Sequence, residues 1–328
     1  MIRPVKQPLK IFSTLVIGMF LAALFGLTCF GVLNAAVLGS GSNTVGHIAA
    51  VTPQTPVVAQ KSTPDISPVI ITPHRAMYSL KLGGTRNGSR VSDISGRRLF
   101  SWTDDCHAWN VQQKMQVRLF YSEGEVSDTV SDLVSREAKD GSSFNFHTRH
   151  TGDGADKTEI YHGYANLNLD SNGLGKGEAV YSGDNEKHIS LSDALFPAHH
   201  TMQLLEHARK GDKFFSVNVF DGADEKGFSE ISSFINTAIE SKAVIEKASS
   251  GKENQLLNVK AWPIRMAFFA PNSETGSPDY EMDMTLLDNG IIKTMTIDYG
   301  DYSMTADLVE VKALSPVKCS VDSVIPHS

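Results

Sequence analysis

The chain has 328 residues, 37 of them acidic and 30 basic, and its formal net charge is −7. This length suffices for one large β domain or two smaller domains. The acidic balance opposes binding to nucleic acid phosphates and adhesion to anionic lipid headgroups by charge alone. We therefore expect no nucleic-acid partner.

The first 39 residues have the layout of an export signal. Residues 1–10 carry three basic side chains and no acid, and residues 11–33 are almost unbroken apolar. A charged segment followed by a hydrophobic run is typical of a secretory signal peptide, but this run is also long enough to span a bilayer. Two alternatives stay open: cleavage near residues 36–39, or retention as an N-terminal membrane anchor. Both place the body of the chain outside the cytoplasm.

Residues 40–70 are rich in Ser, Thr, Val, Pro, Gln and Gly and show no period. This composition predicts a disordered linker. The folded part is then a single domain over residues 71–328.

Alternating apolar and polar residues predict strands through the first half of this domain. Residues 71–82 form the first strand, and residues 95–124 form two strands joined near residues 104–107. Residues 126–150 are polar with strand-like ends. Further strands are predicted at residues 160–169, at residues 178–183, and twice within residues 212–240.

One helix is predicted over residues 198–211. Pro197 leads into it, basic residues occupy its last turn, and Gly211 ends it. Met202 and Leu205 lie on one face of this helix and should face the core. Residues 241–256 are ambiguous between a short helix and a loop.

The clearest sheet signal lies near the end of the chain. A strand at residues 262–269 is followed by strict alternation over residues 280–287. Asn289-Gly290 then predicts a hairpin with a type I′ turn. The second arm covers residues 291–299, and a last strand is expected near residues 305–311.

No motif identifies a catalytic or metal site. His199, His200 and His207 share the predicted helix, but they lack the spacing of a zinc helix, which places His at i and i+4 with an intervening Glu. The acidic segments 170–173 and 221–225 fit hairpin turns better than calcium loops. The chain has no Gly-x-Ser-x-Gly elbow and no phosphate-binding loop. We therefore expect no catalytic residue, metal or cofactor.

The cysteines point to an oxidising compartment. Cys29 lies in the N-terminal apolar run, so Cys106 and Cys319 are the two cysteines of the folded part. An even pair in an exported chain favours a disulfide bond, and the alternative is two free buried thiols.

Short motifs in the folded part occur in a fairly specific order and spacing. They are Thr72-Pro73-His74-Arg75-Ala76-Met77-Tyr78-Ser79-Leu80, Ser95-Gly96-Arg97, Cys106, Phe196-Pro197 with His199 or His200, Phe220-Asp221-Gly222, Trp262-Pro263, Pro278-Asp279-Tyr280, Asn289-Gly290, Asp298-Tyr299-Gly300-Asp301-Tyr302 and Cys319. Over about residues 71–319 the chain resembles the cell-envelope integrity protein EipB family of Gram-negative bacteria. It departs from that pattern in its long N-terminus and at residues 241–256.

The resemblance implies a mainly β fold, a single antiparallel barrel of about fourteen strands with one central helix. The family's barrel is open and spiral-like, in the manner of periplasmic carriers. The resemblance also implies a Cys106–Cys319 disulfide, a periplasmic location, and a tetratricopeptide-repeat protein as a type of partner, and it supplies no catalytic residues.

We therefore expect a non-enzymatic periplasmic protein that supports envelope integrity by binding a protein partner or an apolar ligand. The alternatives are a lipid or lipoprotein carrier and an envelope hydrolase. If residues 11–33 are retained, they would tether the protein to the inner membrane.

Overall fold

A computed structural model describes residues 67–152, 158–183, 186–239, 252–271 and 276–315, together with residues 317 and 319. The predicted export segment 1–39 and nearly all of the predicted linker 40–70 lie outside the described residues.

Fourteen strands form one closed barrel. The strands are β1 (His74–Thr85), β2 (Val91–Asp104), β3 (Ala108–Tyr121), β4 (Val126–Ala138), β5 (Ser143–Thr151), β6 (Thr158–Leu169), β7 (Gly175–Tyr181), β8 (Lys187–Leu195), β9 (Phe214–Val219), β10 (Ser229–Ile235), β11 (Ala261–Phe269), β12 (Tyr280–Leu287), β13 (Ile292–Asp298) and β14 (Tyr302–Ala313). Helix α1 (Pro197–Lys210) connects β8 to β9, and the short helix α2 (Lys252–Leu257) precedes β11.

Nearly every strand pairs antiparallel with its neighbour in sequence, and β1 closes the ring by pairing with both β2 and β14. The exception is β8 with β9, which run parallel because α1 connects them. They pair only at Ala194–Asn218 and Leu195–Val219. The prediction of a fourteen-stranded antiparallel barrel with a central helix is confirmed, and the ring is closed where the family resemblance implied an open spiral.

The core fills the inside of the barrel because strand alternation turns one face inward. On β1, Ala76, Tyr78 and Leu80 are buried while their neighbours are more exposed. The larger apolar cluster runs from β1–β3 through α1 to β9–β14. A smaller one beneath β5–β8 is built mainly from aromatic rings, including Phe144, Phe196 and Phe220. Side chains therefore fill most of the barrel interior.

Helix α1 packs inside the barrel. Its buried residues are Ala198, His200, Thr201, Leu204, Leu205 and Ala208. Leu205 was predicted to face the core and does, while Met202 is only partly buried. The helix begins at Pro197 and ends at Gly211, whose φ of 85° is the left-handed conformation that glycine adopts without steric cost. Both predicted ends are correct to within one residue.

Two strands, β4 and β8, depart from the simple alternation of apolar and polar residues. Residues 126–150 fold as β4 and β5, but β4 turns Ser131, Ser135 and Glu137 inward, so its buried face is polar. Strand β8 was not predicted at all. Its alternation is interrupted near Asp193, which has a φ of 49°, and its register with β7 shifts nearby.

The hairpin at Asn289-Gly290 is confirmed, but the predicted type I′ turn is wrong. Only Gly290 has positive φ (85°), Gly290 N donates to Leu287 O, and Leu287 N donates to Ile291 O. These bonds define a three-residue loop in which the left-handed residue follows an ordinary turn. Asn289 instead uses its side chain, which donates from Nδ2 to Leu256 O at 2.8 Å.

Candidate ligand cavity in the barrel

An internal cavity lies between β2, β3, β4 and the first turn of α1. Its volume is about 40 Å³, and it is partly open to solvent. Its lining is mostly aromatic and aliphatic: Phe100, Trp102, Trp109, Val111, Leu133, Phe144, Pro197 and Ala198. The polar residues of the lining are Gln113, Ser135, Glu137, Thr201 and Asp221. Apolar walls with a few polar groups are the usual make-up of a small-molecule site.

Glu137 joins β4 to the start of α1. Its carboxylate accepts hydrogen bonds from Ala198 N at 2.7 Å, from His199 N at 2.8 Å and from His199 Nδ1 at 2.6 Å. Orphan N–H groups and the positive end of the helix dipole favour a carboxylate at this place. Glu137 therefore caps the helix and holds it against the wall.

His199 completes this arrangement. Burial lowers the pKa of His199, but the hydrogen bond and the charge of Glu137 outweigh burial, so the pKa is raised above its ordinary value. The charged imidazolium is thus favoured beside the carboxylate. The buried charge of Glu137 is compensated by the protein itself.

Arg98 is buried inside the barrel next to the cavity. Unlike Glu137, it has no oppositely charged partner among the described residues. Its Nε donates to Gln113 Oε1 at 2.7 Å, and its Nη1 donates weakly to Met295 Sδ at 3.7 Å. Its guanidinium carbon lies 5.2 Å from the centre of the Tyr78 ring and 4.9 Å from that of Phe100. In the part of the chain that the structure describes, no carboxylate lies within 4.0 Å of this guanidinium. Burial lowers the pKa of Arg98 to about 10, so the group stays charged at neutral pH.

Three buried donors near this point have no acceptor among the described residues. They are Arg98 Nη2, Gln113 Nε2 and Trp102 Nε1. The three residues are 3%, 4% and 2% exposed. Gln113 of β3 pairs with Phe100 of β2, midway between the inward positions Arg98 and Trp102. Strand register therefore places the three residues on one stretch of the inner wall.

Asp221 lines the cavity from the segment after β9. Burial raises the pKa of Asp221 well above its ordinary value, although the hydrogen bond from Ala223 N lowers it, so the neutral acid is favoured. Gly222 follows with a φ of 67°, and a Cβ there would overlap the ring of Phe146. Glycine is therefore required for this segment to pack against the aromatic cluster.

The three helix histidines do not converge. His199 contacts Glu137, His207 Nδ1 lies 2.8 Å from Asp212 Oδ2, and the buried His200 ring stacks near Phe215. Across the described ranges, no group of three or more His, Cys, Asp or Glu side chains is placed to hold a metal.

The acidic segments form turns that their own side chains support. Asp170 Oδ1 accepts from Asn172 N and Leu174 N between β6 and β7. Asp224 Oδ1 accepts from Lys226 N at 2.7 Å. Hairpin-type turns are what the sequence predicts for both segments.

Cys106 and Cys319 lie at disulfide distance, with Cα atoms 5.7 Å apart, inside the range of about 4.4–6.8 Å that the bond requires. Cys106 occupies the β2–β3 turn, where its N–H donates to Asp104 Oδ1. The same Asp104 accepts from Lys139, which follows β4. The cysteine pair thus lies at the end of the barrel that carries Glu137.

The sequence predicted the cysteine pair but not the polar groups of the interior. Arg98 shares the inward parity of β2 with Ile94, Phe100 and Trp102, and a cation in an otherwise apolar series is the signal that could have identified it. Glu137 lies in a polar segment and gives no comparable signal. Among the described residues, no helix is long and apolar enough to cross a membrane.

The fold and cavity define a closed β-barrel with a helix in its interior and an apolar chamber beside that helix. Residues 66–315 match the family described as EipB-like, so the chain belongs to that family.

Two similar proteins come from Brucella abortus. One, named "Cell envelope integrity protein EipB" (strain 2308), is 26% identical over 253 residues, covering 75% of this chain and 85% of the relative. The other is the crystal structure of a β-barrel-like protein with a domain of unknown function. It superposes with a TM-score of 0.65 at 25% identity and covers 75% of this chain and all of that chain.

Proposed function

We propose that this protein is a non-enzymatic component of the cell envelope that supports envelope integrity by binding an apolar ligand inside the barrel. The cavity walled by Phe100, Trp102, Trp109 and Phe144 is the observation that carries the proposal. The name of the Brucella relative supports an envelope role. The export-type N-terminus supports a periplasmic location.

The cavity suits a slender apolar molecule. Mainly apolar walls with a few polar groups are usual for ligand sites. Transfer of apolar surface from water to such walls supplies roughly 25 cal/mol per Å² before the costs of association. Carriage of a lipid or of a lipoprotein acyl chain would be one form of this binding.

The tryptophans provide the test. Trp102 and Trp109 line the cavity, so an apolar ligand should change their fluorescence. Titration of the full-length protein with a single-chain lipid should show saturable binding, and native mass spectrometry should detect lipid that co-purifies from cells.

Two identical substitutions on neighbouring strands give a matched control. Val111→Phe fills the cavity, whereas Val134→Phe alters a side chain that is 48% exposed on the outer face. Binding should be lost in the first variant and kept in the second. Absence of binding in the wild-type protein, or equal loss in both variants, would contradict the proposal.

A protein partner is the second candidate, and the tetratricopeptide-repeat type comes from the family resemblance. Phe214 and Phe234 support it, because they are 50% and 55% exposed and form an edge-to-face pair at 5.2 Å on neighbouring strands β9 and β10. Exposed aromatic side chains are enriched at protein interfaces. Co-purification of a repeat protein with the wild type and with Val134→Phe, but not with a Phe214→Ser/Phe234→Ser double variant, would support this candidate. Equal co-purification with all three would overturn it.

A further inference from the structure

We infer that the cavity binds a single-chain amphiphile with one carboxylate, and that Arg98 and Gln113 bind this carboxylate. The inference rests on the proposed function, because it assumes that the cavity is a ligand site. It goes further by naming the headgroup and the residues that recognise it.

The charge of Arg98 is the first reason for this assignment. A buried ion without a counter-ion costs several kcal/mol, and buried guanidinium groups normally face a carboxylate or phosphate. Arg98 is 3% exposed and has an amide oxygen, a thioether and two ring faces as its neighbours. Across the described residues its charge has no anionic partner, and a ligand anion would supply one.

Hydrogen-bond donors without acceptors are the second reason. Arg98 Nη2, Gln113 Nε2 and Trp102 Nε1 are all donors, and no described residue offers any of them an acceptor. A buried donor without an acceptor costs about 1–3 kcal/mol. Gln113 and Trp102 line the cavity, and Arg98 is bonded to Gln113 directly behind that lining. An oxyanion beside Gln113 would give Arg98 Nη2 and Gln113 Nε2 an acceptor.

The two acids that line the cavity, Glu137 and Asp221, do not balance the charge of Arg98. Both Glu137 oxygens accept hydrogen bonds from the start of α1 and from His199. Asp221 Oδ1 accepts from Ala223 N, and burial raises the pKa of this acid. Neither pairs with Arg98. His74 lies beyond Phe100, with ring centroids 5.6 Å apart, and burial lowers its pKa to about 4, so it is neutral.

The single guanidinium also limits the charge of the ligand. One guanidinium balances one negative charge, whereas a phosphate monoester carries about −1.5 to −2 at neutral pH. A carboxylate also matches the planar fork of donors on arginine. The rest of the cavity wall, including Trp109, Val111 and Leu133, is apolar and suits a hydrocarbon chain. Together these features favour a fatty acid over a single-chain phosphate monoester.

The test uses three probes with the same chain: hexadecanoic acid, hexadecanol and hexadecyl phosphate. Each is titrated into full-length protein stripped of lipid, with tryptophan fluorescence as the readout. The acid should bind about tenfold or more tightly than the alcohol and also more tightly than the phosphate, as expected for one charge-assisted contact.

Two substitutions to methionine distinguish the role of the buried Arg98 from that of the exposed Arg97 beside it. Arg98→Met should bring the affinity for the acid down to that for the alcohol and leave the alcohol unchanged. Arg97→Met changes the neighbouring, outward-facing side chain and should preserve the preference. Gln113→Leu should weaken acid binding by a smaller factor, and it provides a second variant should Arg98→Met fail to fold.

The outcomes distinguish the inference from the function on which it rests. Equal affinity of the wild type for acid and alcohol would overturn the headgroup assignment and leave the apolar site standing. Tighter binding of the phosphate would overturn the choice of carboxylate. Binding of none of the probes would overturn the proposed function and the inference with it.

Discussion

Glu137 and Arg98 are both buried in the barrel interior, but they differ in the partners that surround them. Glu137 on β4 receives three hydrogen bonds from α1, one of them from His199, whose pKa is raised by this contact. Arg98 on β2 has one good hydrogen bond and no acid beside it among the described residues. A buried charge with a complete set of partners holds the fold together. One that lacks partners is a candidate for binding something else.

Glu137 and Arg98 also lie in different parts of the barrel. Glu137 lies close to the β2–β3 turn, where Lys139 binds Asp104 and where Cys106 meets Cys319. Arg98 sits deeper, between the rings of Tyr78 and Phe100. This difference predicts that stability depends on the Glu137 end and that ligand binding depends on the Arg98 patch.

The largest expected effect comes from the covalent link at the Glu137 end. The cysteines are 213 residues apart, and loop-closure entropy gives an upper bound of about 5 kcal/mol for a bond across such a loop. Cys106→Ser or Cys319→Ser should lower the melting temperature in oxidising buffer and have little effect in reductant. Identical melting of wild type and variant in oxidant would show that no disulfide stabilises this end.

Removal of the helix cap should have the next largest effect. Glu137→Ala leaves the start of α1 and His199 without their acceptor in a buried place, and breaking a buried ionic contact costs roughly 3–5 kcal/mol. Chemical denaturation measures this loss. Asp128→Ala is the control, because Asp128 lies on the same strand in an exposed ion pair with Arg118 that contributes at most about 1 kcal/mol. Equal losses in the two variants would remove the distinction between a structural and a surface carboxylate.

Arg98→Met should act in the opposite direction. The substitution removes a desolvated charge and an unbonded donor and keeps an apolar side chain against the rings of Tyr78 and Phe100. The free energy of unfolding should therefore stay unchanged or rise by about 1 kcal/mol. A loss as large as that of Glu137→Ala would show that Arg98 is structural, and the contrast between the two charges would collapse.

The smallest expected effect is the pH dependence of the His199–Glu137 contact. The folded-state pKa of His199 is raised above its unfolded value of 6.5, so its stabilisation is fully present below pH 6.5. It is lost as the pH rises through the raised value. The stability difference between wild type and His199→Gln should shrink over this range, whereas that for Arg98→Met should stay flat between pH 5 and 8. A constant difference for His199→Gln would mean that its charge does not contribute.

Local patterns predicted most of the strands because their signals are short in range. The period of two over residues 280–287 and the Asn289-Gly290 turn placed that hairpin correctly, although Asn289 bonds to Leu256 and the turn type differs. Strand β8 was missed because Asp193 adopts a left-handed conformation that interrupts the alternation. On β4 the inward Glu137 accepts hydrogen bonds from the start of α1, a contact that the local sequence does not show.

The chain by itself determined where strands alternate, where the helix begins and ends, and which two cysteines were left to pair, because each of these depends on neighbouring residues or on a simple count. Only the tertiary structure decided that β1 meets β14, that Glu137 reaches a helix 62 residues away, and that Arg98 has no acid beside it. Closure of the barrel and pairing of the charges depend on contacts between residues that are distant in sequence. No local pattern in the sequence specifies such contacts.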